Sequence, residues 1–206
     1  DVGLILPPRL ASIHAVVIPI FKTDEEKAKV FAEGEKVVAE LRAQGLEVQW
    51  DTREGMTPGS KYYEWELRGV PLRIEIGPRD VDQGSLMLVR RFVLEQAGED
   101  EKALRARKKQ PLPRAEALAK VKSILEEMQA QLFQRALAFR TKHSRVIDSM
   151  EEYERFFKEG GGFAWVHWAG TADEEETMAK RFQTSIRNVP LDGQGPAGSE
   201  GPGKCI

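Results

Sequence analysis

The sequence predicts an α/β protein: a mixed sheet flanked by helices, followed by a small α+β unit. Residues 15–20 form a continuous apolar run, short enough for a strand that is buried on both faces. A helical stripe of apolar residues follows in residues 24–45, and residues 46–50 then alternate apolar and polar side chains. Strand, helix and strand in this order favour a right-handed crossover between two parallel strands.

The first helix has recognisable ends. Asp24 is the expected N-cap, and Gly45 is the expected stop. The core-facing positions between them share a spacing of three and four residues and are Val30, Gly34, Val37, Val38 and Leu41.

A second helix and a third strand are predicted within residues 58–80. A Pro-Gly turn precedes the polar, helix-compatible segment 60–68, which ends at Gly69 and Pro71. Residues 72–76 then alternate, so that three apolar side chains lie on one face of a strand and charged side chains lie on the other.

That strand should bring charge to one edge of the sheet. Arg73 and Glu75 lie on its polar face, and further charged residues flank it in the chain. If the second helix packs alongside the strand, these residues converge: Lys61, Glu66, Arg79 and Asp80. The alternative is a set of ordinary solvated charges on an α/β surface.

The next segments complete the first domain. Residues 85–89 predict a fourth strand that ends at Arg90 and Arg91, and the polar, basic residues 95–113 suggest an exposed connection that ends in prolines. A long helix begins at residue 114. Its core-facing stripe comprises Leu118, Val121, Leu125, Met128 and Leu132.

The opposite face of the long helix is basic, with Lys120, Lys122, Arg135, Arg140 and Lys142. A coiled coil is the alternative for this helix, but the stripe is shorter than the three or four heptads that a coiled coil needs.

A second small unit is predicted after the long helix. It contains an acidic helix at residues 146–158, an apolar strand at residues 163–168 and an acidic helical run after Gly170. A strand-like segment at residues 185–191 leads into a Gly/Pro/Ser-rich loop at residues 193–203.

Composition limits the functional class. The 206 residues are 41% hydrophobic, which suffices for a globular core, and the net charge of −2 is unevenly distributed. Residues 101–145 carry twelve Lys/Arg against four Asp/Glu, whereas residues 148–180 carry three against nine. The basic segment is suited to phosphate contacts, and a solvated helix surface is the alternative. The single cysteine, Cys205, excludes an internal disulfide and favours the cytoplasm.

Other chemistries have little support. No apolar run is long enough for a membrane span, and no signal peptide is visible. The three histidines are far apart without an HExxH or CxxC pattern, and no GxxxxGK[ST] or GxGxxG loop occurs. Gly160, Gly161 and Gly162 fit a plain turn, and Cys205 has no nearby base to activate it.

Residues 58–80 read PGSKYYEWELRGVPLRIEIGPRD. This stretch resembles the signature of the class II anticodon-binding domain, specifically that of prolyl-tRNA synthetases of the archaeal/eukaryotic type, close to PGWKFxEWExKGVPxRxEIGPRD. Ser60 and Tyr62 stand where the family has Trp and Phe, and Phe92 stands where it has Asp. Residues 1–11 resemble the segment that leaves the catalytic domain of this family.

The resemblance implies three parts: a connector from a catalytic domain at residues 1–11, the anticodon-binding domain at 12–112, and a C-terminal domain at 113–206 that stops short of its end. The parent would be a cytoplasmic proline–tRNA ligase, homodimeric at full length, that joins proline to ATP and then to tRNA(Pro). ATP and Mg would bind the absent catalytic domain, so no catalytic residue or cofactor is expected here and the chain alone should be inactive. The alternative is a non-catalytic, anticodon-binding-like accessory module.

The resemblance also implies which residues contact the anticodon. Carboxylates would accept the N1 and N2 donors of the two guanines that proline anticodons share, cations would contact O6, N7 or phosphate, and Tyr62 or Trp65 would stack, although Trp65 is more typical of a core. The candidates are Arg53, Lys61, Tyr62, Glu66, Arg73, Glu75, Arg79, Asp80, Arg90 and Arg91.

No zinc is expected, although many members of the family bind one through four cysteines. At the first pair of ligand positions this chain has Ala169 and Glu174, and at the second pair it has Cys205 alone. Even with His167 the ligands fall short of the four that a structural zinc needs. Stability should therefore be indifferent to chelators.

Overall fold

A five-stranded mixed sheet is the framework of the first unit, Asp1–Gln134, in this computed structural model, which describes residues 3–188. The strands are β1 (Ala15–Pro19), β2 (Val48–Trp50), β3 (Leu72–Ile76), β4 (Ser85–Arg90) and β5 (Lys109–Pro113). Their order is β2-β1-β3-β4-β5, with β1 parallel to β2 and β3, and with β4 antiparallel to both β3 and β5.

Helices connect the strands. They are α1 (Asp24–Ala43), α2 (Pro58–Leu67), α3 (Pro78–Gln83), α4 (Glu101–Lys108) and α5 (Arg114–Lys142). The predicted α/β class and the strand-helix-strand start of the chain are confirmed, because α1 joins two parallel strands.

The two faces of the sheet bury different residues, because side chains alternate along a strand. On one face, Val17 and Ile74 belong to the main core with residues of α1 and α5. The predicted stripe of α5 is buried, as are the predicted core positions of α1. On the other face, Val16 and Ile18 pack with Trp65 of α2. Arg73 and Glu75 share this second face.

Sequence analysis was wrong about one helix end in the first unit and missed three elements. The N-cap of α1 is Thr23, whose hydroxyl accepts a hydrogen bond from the amide of Glu26, so Asp24 is the first helical residue instead. Residues 95–113 are exposed or partly exposed, as expected, but they contain α4 and β5. Pro111 and Pro113 suit β5 because it is the outermost strand, where a missing N–H donor is tolerated.

Sequence analysis also did not predict α3. It is a short helix that begins at Pro78, directly after β3, and ends at Gly84 in the left-handed conformation with φ of 61°. Proline at the first position and glycine after the last position are typical of helix ends.

The second unit, Arg135–Ile206, is built around aromatic side chains. It contains β6 (Ser144–Val146), α6 (Met150–Lys158), β7 (Phe163–Trp165) and α7 (Ala172–Phe182), with β6 parallel to β7. The Tyr153 ring lies 4.7 Å from that of Phe157 and 5.3 Å from that of Phe182. The predicted strand at residues 163–168 is shorter than expected. Residues 185–188 of the predicted last strand have no regular structure, and the rest of it and the Gly-rich loop lie outside the described residues.

The boundary between the units falls inside α5, after Gln134. None of the helices in residues 3–188 is both long enough and apolar enough to cross a membrane.

Candidate nucleic-acid interface

A buried carboxylate organises the end of β2. The side chain of Asp51, the residue after this strand, is 0% exposed. It accepts hydrogen bonds from Nε of Arg53 at 2.9 Å and from Nε1 of Trp65 at 2.7 Å. The ammonium group of Lys61 donates to the Asp51 carbonyl at 3.1 Å and lies 3.6 Å from its carboxylate. We call Asp51, Arg53, Lys61, Glu64 and Trp65 the β2 cluster.

Hydrogen bonds keep Asp51 ionised in this cluster. Burial by itself would raise the pKa of the Asp51 carboxyl, but the hydrogen bonds from Arg53 and Trp65, with the charge of Lys61, hold that pKa well below its ordinary value. Lys61 is itself buried, at 4% exposure. A carboxylate and an ammonium that neutralise each other here fix the N-terminal part of α2 beside the end of β2.

Arg53 links the β2 cluster to the surface. Its guanidinium bonds Asp51 on one side and donates to Glu64 at 2.7 Å on the other, and its side chain remains 41% exposed. The hydrogen bonds to Asp51 and to Glu64 raise the pKa of Arg53. This arginine is therefore held in one orientation with part of its surface accessible.

A second cluster lies on the polar face of β3. The guanidinium of Arg73 donates to Glu66 of α2 at 2.7 Å and to Glu75 of the same strand at 3.0 Å. It also stacks on the Tyr62 ring, 4.0 Å from its centroid. Glu75 accepts a further bond from Lys109 of β5 at 2.9 Å. We call Tyr62, Glu66, Arg73, Glu75 and Lys109 the β3 cluster.

The β3 cluster alternates charge from α2 across the sheet to β5. Glu75 lies deepest, with its side chain 6% exposed, whereas the side chains of Glu66 and Lys109 are 39% and 41% exposed. Burial of the Tyr62 phenol, together with the nearby Glu75 carboxylate, raises the pKa of Tyr62 to about 12. The cluster thus offers an exposed carboxylate and an exposed ammonium on either side of a fixed guanidinium.

Neither Arg79 nor Asp80 contacts the β2 cluster or the β3 cluster within the described residues. Arg79 is exposed in α3, and no ion pair or hydrogen bond engages its side chain within the described part of the chain. Asp80 accepts a hydrogen bond from the amide of Gly77 at 2.8 Å and so closes the start of α3. The charges expected to converge on one edge are therefore divided between two clusters and a short helix.

Arg90 and Arg91 approach the β3 cluster from β4. Together with Glu66 and Arg73, both arginines line one small pocket. Arg90 also donates to Glu127 of α5 at 2.8 Å. Arg91 is buried at 7% exposure and donates from Nε to the carbonyl of Leu4 at 3.0 Å, which ties the N-terminal segment to the sheet.

Sequence analysis missed the roles of Asp51 and Lys109. Asp51 had a signal, because it directly follows a predicted strand and the carboxyl ends of parallel strands meet at one edge of a sheet. Lys109 had none, because residues 95–113 were expected only to be an exposed connection, and it is the pairing of β5 with β4 that brings Lys109 to Glu75.

No metal centre is found in the described residues. Within residues 3–188, no group of three or more His, Cys, Asp or Glu side chains could hold an ion. Glu174 instead caps α7 by accepting a hydrogen bond from the amide of Thr171 at 2.7 Å, a contact that lowers the pKa of Glu174. Cys205 lies outside the described residues.

Comparison with known proteins identifies the first unit. The family described as "Anticodon binding domain" matches residues 14–124. Among curated proteins, the chain is 35% identical over 206 residues to "Proline--tRNA ligase" of Christiangramia forsetii, covering 100% of the chain and 38% of the relative. It is 40% identical over 198 residues to the protein of that name from Chloroflexus aurantiacus, covering 96% of the chain and 38% of the relative.

A third relative, "Proline--tRNA ligase" of Roseiflexus castenholzii, is 38% identical over 206 residues, which are 100% of the chain and 39% of that relative. The chain thus spans well under half the length of these relatives. The resemblance drawn from residues 58–80 is confirmed at the level of the family, since these residues lie within the matched region. The matched region also contains both clusters. The chain belongs to the family of anticodon-binding domains.

Proposed function

We propose that the domain reads the anticodon of tRNA(Pro) as part of a proline–tRNA ligase. The observation that carries the proposal is the β3 cluster: an anticodon-binding domain presents, on one sheet face, an arginine that is fixed between two carboxylates and a tyrosine ring.

The chemistry of the β3 cluster matches guanine. Guanine presents N1 and N2 donors on one edge and O6 and N7 acceptors on another, and bases of a single-stranded loop can be turned outward so that these edges are read. Glu66 uses Oε1 for Arg73, so Oε2 remains to accept a donor from the base. Arg73 offers its guanidinium to O6 or N7, and Tyr62 supports stacking.

The ion pairs of the free domain prepare it for binding. Arg73 is held by two carboxylates and a ring, so little side-chain freedom is lost when a base arrives. Charged groups that are already oriented by a supporting shell give specificity at low cost in entropy. Glu75 is the central acceptor of this shell, because it bonds both Arg73 and Lys109.

The remaining candidates divide by burial. Arg53, Arg79 and Arg90 keep accessible surface or lie beside the pocket, and we assign them phosphate or base contacts. Lys61 and Arg91 are buried, which favours positioning of α2 and of the N-terminal segment over direct contact with RNA. Asp80 is engaged at the start of α3, which favours positioning of Arg79. Direct contact of Lys61, Arg91 and Asp80 with RNA stays a prediction.

The whole protein would bind proline and ATP with Mg, act as a homodimer in the cytoplasm and charge tRNA(Pro). The similarity to proteins named proline–tRNA ligase supports this reading, and the ligation site would lie outside these 206 residues. The boundaries 12–112 and 113–206 stay a prediction from the sequence, which truncation of the chain can test.

Two measurements on residues 1–206 test the proposal. We expect weak binding to a tRNA(Pro) transcript that falls steeply with salt, because phosphate contacts release counterions. We expect no proline-dependent ATP/pyrophosphate exchange, and robust exchange by this chain would show that ligation chemistry lies within it. Binding without any preference for the proline anticodon would favour the accessory module instead.

A substitution in the full-length enzyme tests the role of Glu75. Glu75→Ala removes the acceptor shared by Arg73 and Lys109 and should reduce discrimination between cognate and anticodon-mutant tRNA. Unchanged discrimination would refute the role of this residue.

A further inference from the structure

Helix α4 carries an unusual concentration of positive charge. Its sequence, EKALRARK, contains four cations and one acid, and it leads directly into Lys109. Asp100 caps the helix by accepting a hydrogen bond from the amide of Ala103 at 2.7 Å. The charge of α4 is therefore displayed on an ordered element.

Burial of an apolar face does not explain this helix. None of the residues of α4 is buried. Helices without an apolar face are normally stabilised by ion pairs between successive turns, and α4 has no such pair among its own residues. Another interaction must hold it in place.

The side chain of Arg107 supplies this interaction. Its guanidinium donates to both carboxylate oxygens of Glu99, at 2.8 Å and 2.7 Å, and to the carbonyl of Leu94 at 3.1 Å. Both bonds to Glu99 come from Nη1 and the bond to Leu94 comes from Nη2, so two nitrogens of the guanidinium hold its orientation. Arg107 thus fastens α4 to the segment that precedes it.

The other three cations of α4 have no partner among the described residues. Lys102 and Arg105 are exposed, Lys108 is partly exposed, and no hydrogen bond or ion pair engages their side chains within residues 3–188. Residues three apart on a helix share a face, so these cations form one stripe, whereas Arg107 points to another side. We call Lys102, Arg105 and Lys108 the α4 stripe.

The α4 stripe is continuous with the β3 cluster. The helix ends at Lys108, and the next residue, Lys109, opens β5 and bonds Glu75 at 2.9 Å. The last cation of the α4 stripe and the ammonium group of the proposed base-reading site therefore belong to adjacent residues. The charge of the stripe is complementary to a polyanion that lies across both.

We propose that the α4 stripe binds the phosphate backbone of the RNA whose bases the β3 cluster reads. This inference rests on the proposed function and adds a division of labour to it. Phosphate contacts position an RNA and supply affinity that does not depend on sequence, whereas contacts to base edges supply specificity.

The test compares two transcripts: tRNA(Pro), and the same tRNA with both anticodon guanines replaced. The variant Lys102→Gln/Arg105→Gln/Lys108→Gln leaves Arg107 and the cap in place. At moderate salt it should weaken binding about tenfold for both transcripts, and the slope of log K against log salt should fall in magnitude by about 2, since each contact contributes about 0.7. The ratio of the two affinities should stay within twofold of wild type.

Two matched variants serve as controls. Arg9→Gln/Lys22→Gln/Arg155→Gln removes three exposed cations from three separate segments and should change affinity much less. Lys102→Arg/Arg105→Lys/Lys108→Arg keeps the charge and should bind as wild type does.

The outcomes separate this inference from the proposed function. If the wild type prefers the proline anticodon and the α4 variant binds as tightly as wild type, the α4 inference is wrong and the proposed function stands. An equal loss in the scattered control also overturns the inference, because net charge then explains it. If the wild type shows no preference between transcripts, the proposed function fails.

Discussion

Arg73 contacts three members of the β3 cluster. Two contacts use its hydrogen-bond donors, and the third uses the surface of its guanidinium. The planar guanidinium donates to Glu66 and Glu75 and lies over the Tyr62 ring, 4.0 Å from its centroid. Lysine keeps the charge but has neither the fork of donors nor the planar surface. Replacement by lysine therefore separates charge from geometry.

We predict that Arg73→Lys lowers discrimination against anticodon mutants by about tenfold to a hundredfold, because a well-placed pair of bonds to a base is worth about 1–3 kcal/mol. Binding assays with the cognate and mutant transcripts measure it. The matched control is Arg68→Lys, since Arg68 pairs with Glu64 on the surface at 2.5 Å and lies outside the β3 cluster. An equal effect of both substitutions would remove Arg73 from the reading site.

Asp51 is the residue on which the β2 cluster depends. We predict that Asp51→Ala lowers the free energy of unfolding by about 3–5 kcal/mol, because the buried ammonium of Lys61 loses its counterion. Urea unfolding at neutral pH measures the change. Asp82→Ala removes one partner of an exposed pair with Lys29 and should cost less than about 1 kcal/mol.

The depressed pKa of Asp51 also predicts a pH dependence. The carboxyl of an unfolded aspartate has a pKa of about 3.9. Because the folded pKa lies below that value, the stabilisation is fully present above it and is lost as pH falls through the folded pKa. Between pH 5 and pH 2.5 the melting temperature of wild type should thus fall more than that of Asp51→Asn. Parallel pH profiles would assign the acid sensitivity to other carboxyls.

At the scale of the element, α1 carries a glycine that its neighbour requires. Gly34 lies mid-helix, where alanine normally stabilises by about 1 kcal/mol. A Cβ at this position would lie 2.4 Å from Cη2 of Trp50 in β2, and the Trp50 ring is held against that of Phe31, 5.3 Å away. Helix propensity and packing therefore favour different residues here.

We predict that packing prevails and that Gly34→Ala lowers the free energy of unfolding by about 1–3 kcal/mol, the usual cost of overpacking. In a Trp50→Leu background the same substitution should be neutral or stabilising, since the obstructing ring is gone. A double-mutant cycle by chemical unfolding measures this coupling. Additive effects would show that Trp50 moves aside freely.

At the scale of the whole molecule, α5 matters more to the first unit than its place in the chain suggests. Ala117, Leu118, Val121, Ile124 and Leu125 of this helix belong to the main core beneath the sheet. A boundary at 112/113 would separate them from that core, whereas division by contacts falls at 134/135.

We predict that residues 1–134 fold cooperatively and that residues 1–112 do not, because the shorter chain exposes the apolar face that α5 covers. Circular dichroism and denaturant unfolding of the two truncated chains measure this. Cooperative unfolding of residues 1–112 would support the boundary that the sequence alone predicts.

The sequence by itself determined most of the elements. The 3.6-residue period of α1 and α5 and the alternation in β3 are local patterns, and each appeared where it was predicted. Residues 58–80 also indicated the family, because a sequence motif of this length is specific. Helix α4 and strand β5 were missed, since α4 has no apolar stripe and β5 carries prolines that only an outermost strand tolerates.

Only the tertiary structure decided how the charges pair. Sequence analysis placed Lys61, Glu66, Arg73 and Glu75 at one edge, but Lys61 turns inward to Asp51 while the other three join Lys109. The physical reason is that sequence patterns are local, whereas these contacts join residues that are distant in the chain. Periodicity reports which face of its own element a side chain occupies, whereas an ion pair depends on which element lies opposite. Glu75 and Lys109 are 34 residues apart in the chain and meet only because β3 and β5 both pair with β4.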